Sequence, residues 1–437
     1  MLAMDRTVGA ANYPISFRKN DAESLGGHIK HRHSAVLLGI KRVGISNFLN
    51  FFIGNREVQD TYVKSKSKHF FIPVDLNDLV ESEIQPFWTL TLKRILDAVE
   101  SSSMNPFVKK EISELFLESI QLQDLFFTID SVRLSIKKII EQGYLPTLFL
   151  IRFDRLMNSV TPELFANLAG LRDGTHQQLS YVFTSFLPFE RIFPNVFQHA
   201  ALLVGYKNVY IKPAEREDER TIISTYKKRY DVVLDDKTEE YLLELVDGHF
   251  RYLQLALIIL HEKDVDKKDK NKLFEYLVSD ESIRLQSEEL WENLNKDEQT
   301  ILLKIVKGEK VTKEDKKKAD YLISSGFIKE ENKTYRIFNP LFEYYVKERE
   351  KEEQKEASSD FSKKELLLFN LLKENKDEIC ERERIIEVVW PQEEELGVSD
   401  WAIDKLVGRV RVKLKSQDNN FEIQTVKTRG YKLVELV

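Results

Sequence analysis

The chain has 437 residues, 42% of them hydrophobic and 32% charged, with a formal net charge of −6. That profile describes an ordinary globular protein of about two to four domains and excludes a disordered or low-complexity chain. Because the overall balance is acidic, contact with nucleic acid has to come from a local basic patch.

In chain order, residues up to Ala11 show no period, Ile15–Arg18 read as a short strand or turn, and Asp21–Ile29 as a helix. Ser34–Leu38 is a buried strand by its continuous apolarity. It runs into Gly39-Ile40-Lys41-Arg42-Val43-Gly44-Ile45-Ser46 and then an amphipathic helix, Asn47–Phe52. A phosphate-cradling loop, G-x-x-x-x-G-K-[ST], needs that order, since its glycines bring backbone N–H groups to the anion at a helix start. Here Ile45 takes the place of the lysine, while Ser46 remains where magnesium would be held. Further strands are expected at His69–Asp75, Pro146–Ile151, Ser180–Ser185 and Val209–Ile211, separated by helical stretches. Such alternation predicts a parallel, doubly wound sheet.

Residues of roughly 15–280 resemble the AAA+/STAND group of P-loop NTPases. In that group the Walker B strand usually ends in two acids before Phe-Asp; by register Ile151 and Arg152 occupy those places, and only Phe153-Asp154 persists. Thr184 or Ser185 falls at the sensor-1 position, and Gly248-His249-Phe250-Arg251 is similar to the lid motif G-H-P-R. The resemblance therefore places a nucleotide site at Gly39, Gly44, Ser46, Asp154 and Arg251, with weakly held ATP or ADP as the candidate cofactor. The lost lysine forfeits about 1.5–3 kcal/mol of charge-assisted bonding to phosphate. Without the Walker B acids nothing orients an attacking water. The expectation is a retained scaffold with no catalytic residue. Arg152 leaves two readings open: a counter-charge for phosphate, or, more in keeping with a scaffold, a structural ion pair involving Asp154 with Arg152 or Arg155.

Residues 214–280 read as lid helices, among them Glu239–Val246 and Phe250–His261. Asn295 followed by Glu298 predicts a capped helix through Val306. A helix over Glu314–Ser324 and strands at Gly326–Lys329 and Thr334–Phe338 complete a pattern that resembles the first winged helix after the lid in STAND and origin-binding AAA+ proteins. The basic run from Lys307 to Lys318 is diluted by Glu309, Glu314 and Asp315 and reads as a solvated face. Lys347–Lys355 reads as a charged, helical linker.

Near the C-terminus Ser399 is a helix N-cap candidate, and Ile403, Leu406, Val407, Val410 and Leu414 form one apolar stripe. Lys405, Arg409 and Lys413, spaced four apart, fall off it. A helix with one face in a core and a positive opposite face is what reading a major groove requires. The strand through Phe421, Ile423 and Thr425 follows, with Lys427, Arg429 and Lys432 on a hairpin. With Phe361–Leu368, Glu383–Trp390 and Gly430-Tyr431 the layout resembles the winged-helix effector domain of OmpR/PhoB-type regulators. Together, resemblance and face give a DNA-contact set of Lys405, Arg409, Arg411, Lys413, Thr425, Lys427, Arg429 and Tyr431. Thr428 in place of the wing glycine and Leu406 where histidine is common depart from the family in ways that bear on sequence preference.

The fold class expected is multidomain α/β plus winged helices: a P-loop NTPase-like parallel sheet (1–213), a helical lid (214–282), a winged helix (283–346), a charged linker (347–360) and a DNA-binding winged helix (361–437). The expected partners are double-stranded DNA and a second copy of the chain through the ATPase-like domain. Two other functions stay open, a nucleotide-switch ATPase and an interaction scaffold that does not touch DNA. His31 and His33 lack companions for a metal set, and Cys380, the single cysteine, reads as a small buried apolar residue in a reducing compartment. No signal pattern opens the sequence, and runs such as Leu253–Leu260 are far too short to span a membrane, so a cytoplasmic protein is expected.

Overall fold

The computed structural model describes residues 13–197, 206–263, 269–331, 334–358, 361–390, 400–416, 421–426 and 429–435. The chain divides into two compact units, one ending at Val346 and one starting at Lys347.

The first unit is built on five strands, β1 (Ala35–Leu38), β2 (Lys68–Asp75), β3 (Tyr144–Ile151), β4 (Ser180–Ser185) and β5 (Lys207–Tyr210). They lie in the order β2-β3-β4-β1-β5, all parallel. The inner strands are apolar throughout because both faces are covered: Val36, Leu38, Leu148 and Leu150 enter one core, and Ala35, Leu37, Phe149 and Ile151 the other. Pro73 is tolerated because β2 is an edge strand, where a missing N–H breaks no inner ladder. The last strand runs two residues earlier than expected at its start. Between β2 and β3 stand three long helices, Ile84–Glu100, Pro106–Leu122 and Leu125–Glu141.

After β5 come helices Arg216–Tyr230, Asp236–Val246, Phe250–Glu262, Lys270–Ser279 and Glu281–Glu292. The helix Lys296–Val306 carries the full capping box, Asn295 accepting from Glu298 N–H and Glu298 from Asn295 N–H. The helix expected over Glu314–Ser324 is instead two short ones, Lys313–Lys318 and Asp320–Ser325, divided at buried Ala319. Strands β6 (Ile328–Glu331) and β7 (Thr334–Ile337) form the hairpin. One continuous apolar core reaches from Tyr13 to Val346, so these helices and the hairpin share their interior with the sheet. The segment expected as a linker lies largely within a helix, Pro340–Ser358.

The second unit holds helices Lys363–Glu374, Arg382–Val389 and Asp400–Ser416, with β8 (Cys380–Glu381), β9 (Phe421–Val426) and β10 (Gly430–Glu435) in the antiparallel order β8-β10-β9. The stripe Ile403, Leu406, Val407, Val410 and Leu414 is buried against Leu368, Leu372, Ile385 and Leu433. Cys380 is buried in the same core. Ser399, Lys427 and Thr428 lie outside the described residues. No described helix is long and apolar enough to cross a membrane.

Candidate functional site

The glycine loop sits where β1 ends, between β4 and β5. Gly39 packs so closely that a Cβ there would lie 2.6 Å from the Ile211 carbonyl oxygen, and Gly44 adopts a left-handed φ of 113°. That turn starts the helix Ile45–Gly54, which has no side-chain cap; its first closing bond runs from Phe48 N–H to the Gly44 carbonyl. The N–H groups of Ile45, Ser46 and Asn47 are therefore the unpaired donors of a helix start. Ile45 turns against the main core, which explains how an apolar side chain is accommodated at the lysine position.

The loop opens onto a cleft of about 450 Å³ that also takes in Asn77, Arg152, Asp154, Phe250, Arg251 and Gln254. Lys41 and Arg42 are held 3.1 and 2.6 Å from Glu289 of the helix Glu281–Glu292. Beneath the loop, fully buried His249 bonds the Lys41 carbonyl oxygen through Nε2 at 3.1 Å, and burial lowers its pKa to about 4. Arg251 donates to Gln254 at 2.7 Å. All five expected nucleotide-site residues, Gly39, Gly44, Ser46, Asp154 and Arg251, line this one cleft.

Arg152 gives the cleft its character. Its backbone is left-handed, with φ 60°, and its N–H donates to Thr184 Oγ1 at 2.7 Å. Its guanidinium donates to Ser46 Oγ at 3.0 Å and pairs with Asp75 at the end of β2. The expected structural pair with Asp154 is thereby corrected: Arg152 takes Asp75, and Arg155 takes Asn77 at 2.7 Å. Parallel pairing sets Asp75 opposite Ile151, one residue from Arg152. Asp154 remains in the cleft wall, where burial raises its carboxyl above the usual range despite Lys41, Arg152 and Arg155 nearby. Asp75 was missed in the sequence because its significance depends on strand order; a carboxylate closing a strand beside β3 was the available signal.

These residues fit a phosphate group better than a metal. An uncapped helix start and a charged guanidinium favour an anion. Magnesium needs oxygen ligands in near-octahedral array. Ser46, expected where magnesium would be held, and Asp75 are both engaged by Arg152. Among the described residues no group of three His, Cys, Asp or Glu is placed to hold a metal.

In the second unit the helix Asp400–Ser416 turns Lys405 and Arg409 outward, and the Arg409 side chain is 47% exposed. Arg411 donates to the Ile423 carbonyl at 2.8 Å and to Thr425 Oγ1 at 2.7 Å, tying helix to hairpin. Arg429 is exposed, 3.8 Å from Glu381. Two expected contact residues are corrected. Lys413 is buried, its ammonium 2.8 Å from Glu365, whose side chain is 1% exposed. Steps of four advance the side chain about 40° each around a 3.6-residue helix, so Lys413 has swung about 80° from Lys405 into the core. Tyr431 is also buried; its hydroxyl bonds Asp404, and Arg382 donates to it at 3.1 Å. Burial and the Asp404 bond push that hydroxyl's pKa up to about 12. Glu365 and Asp404 fall among the motif positions that carry the resemblance but were given no role from sequence, and Arg382 was not singled out; Ser362 three before Glu365 is a capping-box signature, and the box is present.

Three helices closed by an antiparallel hairpin make the second unit a winged helix. Residues 356–433 match the family described as "Transcriptional regulatory protein, C terminal", and this part of the chain is a winged helix of the OmpR/PhoB type. The five-stranded parallel sheet with its loop and helices is a P-loop NTPase-like fold. Among solved structures the chain is similar to a Walker-type ATPase of Pyrococcus abyssi, at 17% identity over 76% of this chain and 95% of that one, with a TM-score of 0.49. It is similar to the ORC2 protein of Aeropyrum pernix in ADPNP–ADP complexes, at 13% identity over 80% and 99% of the two chains, TM-score 0.47. The ORC1 protein of Aeropyrum pernix in complex with DNA aligns at 11% identity over 99% and 91%, TM-score 0.38. No curated protein matches the sequence.

Proposed function

We propose that this protein is a DNA-binding transcriptional regulator whose α/β unit serves as a non-hydrolysing, ATPase-like scaffold. The reading is carried by the match of residues 356–433 to the regulators' C-terminal family. The cationic edge of the helix Asp400–Ser416 supports it: Lys405 and Arg409 enter the major groove, and Arg411, Thr425 and Arg429 stand along the phosphates, where the sequence also expects Lys427. Ile151 and Arg152 at the Walker B positions and Ile45 in the loop supply neither a metal ligand nor a base, which supports a scaffold that does not hydrolyse nucleotide. A cytoplasmic setting follows from a DNA partner. Self-association through the α/β unit is supported by exposed Phe107, Leu117, Leu122 and Phe126 on the helices between β2 and β3.

Fluorescence anisotropy of the full chain on duplex DNA tests the reading. Affinity is expected to fall steeply with salt, because cationic side chains displace condensed counterions. Arg409→Ala is expected to weaken it by about tenfold. Binding no stronger in low salt than that of an acidic control protein would instead favour an interaction scaffold that does not touch DNA. Phosphate release from ATP is expected to stay at the level of the blank, and sedimentation at rising concentration is expected to show self-association.

A further inference from the structure

We propose that the cleft between the glycine loop and the helix Phe250–Glu262 binds a nucleoside polyphosphate without magnesium, with the Arg152 guanidinium standing where the metal would be. This goes beyond the DNA-binding reading and does not depend on it.

Four observations point there. The cleft, about 450 Å³, is in the range of small-molecule sites. Its floor is the uncapped start of the helix Ile45–Gly54, whose first N–H groups are aligned donors for an anion. Independently, a guanidinium is anchored there: that of Arg152 spends one nitrogen on Ser46 and one on Asp75, and the side chain remains 33% exposed. The Arg152 backbone is left-handed, and its N–H is tied to Thr184 Oγ1 at 2.7 Å. The charge balance agrees, since Lys41, Arg42, Arg152 and Arg251 line the cleft against Glu289, Asp75 and Asp154, and burial raises the Asp154 carboxyl. Phe250, packed against Gly44 and set edge-on to Tyr226 with centroids 5.4 Å apart, adds an aromatic surface to the cleft wall.

The metal is excluded by the contacts that fix the arginine. Ser46, which would ligate magnesium, accepts from the Arg152 guanidinium. A magnesium ion accompanying the phosphates would have to displace a side chain already held by Asp75. The polyphosphate that suits this site is the free anion.

Isothermal titration of the full chain with ADP, in excess EDTA and again in magnesium, tests the proposal, with thermal shift as a second readout. The expected affinity in EDTA equals or exceeds that in magnesium, and ADP raises the melting temperature in EDTA. Arg152→Met is expected to lose at least about tenfold in EDTA, and Arg152→Lys less. Should Arg152→Met fail to fold, Arg152→Lys decides in the same two titrations: the EDTA affinity falls at least about threefold if the guanidinium neutralises the phosphates, and is unchanged if it does not. Binding that appears only with magnesium, or no binding in either buffer, overturns the proposal and leaves the DNA-binding reading intact, because that reading is tested on Arg409.

Discussion

Lys413 and Arg409 both approach Glu365, at 2.8 and 3.5 Å, yet they stand in different surroundings. Burial raises the Glu365 pKa, but bonds from Lys413 and Ser362 outweigh it and hold the carboxyl below its usual value. A depressed carboxylate contributes stability above its unfolded pKa and loses it as pH falls through the folded one. Lys413→Met strands that buried charge, and we predict a loss of about 3 kcal/mol in urea unfolding with an unchanged salt slope for DNA. Arg409→Ala is expected to cost under about 0.5 kcal/mol of stability and to weaken DNA binding about tenfold with a relaxed base preference. His249 makes a second residue-scale prediction. It is neutral in the fold, Nε2 donating to Lys41 and Nδ1 accepting from Tyr252 N–H at 3.4 Å. Its pKa is lowered to about 4 by burial, so its contribution is complete above the unfolded histidine's value and drains away as pH falls through 4. Glu219, raised to about 7 by burial, has the opposite sign: its contribution is complete at low pH and is lost as pH rises through 7. The melting temperature of the wild type relative to His249→Gln is therefore expected to decline from about pH 6.5 downward, isolating the histidine.

At the scale of elements, the strands and the glycine loop were legible because their signal is local. Continuous apolarity marks a strand covered on both faces, and the loop's glycines precede a helix. Gly39→Ala is predicted to destabilise the unit by about 1–3 kcal/mol, measured by thermal unfolding, because a Cβ 2.6 Å from Ile211 oxygen forces β1 and the segment after β5 apart. The helix expected over Glu314–Ser324 shows where local reading stops. Its charged positions gave no sign of the break at Ala319, after which Tyr321 reaches the Phe186 carbonyl oxygen at 2.7 Å. The basic face of the helix Asp400–Ser416 was right at Lys405 and Arg409 as an exposed surface, and wrong at Lys413, since a spacing of four drifts around the axis.

Over the whole first unit, long-range ties bind the loop and the helix Lys296–Val306 to the sheet's neighbours. Glu289 clasps Lys41 and Arg42, and Arg191 reaches Glu298 at 2.8 Å. Glu289→Ala is predicted to lower stability by less than about 1 kcal/mol. It should speed hydrogen exchange of the amides in 40–46, because local opening is what those pairs restrain. Unchanged exchange there would show that the loop is held by its own turn. Sequence by itself determined the parallel α/β sheet, the loop with its missing lysine and the helix stripe, since each is written in hydrophobic period and turn residues within a few positions; the winged-helix order came from the resemblance of its motifs to the OmpR/PhoB-type regulators. Only the tertiary structure decided that Arg152 takes Asp75, that His249 is held neutral under the loop, and that Lys413 and Tyr431 are interior. Such pairings join residues far apart in the chain, and burial, which sets the worth of a charge, exists only once the elements have packed.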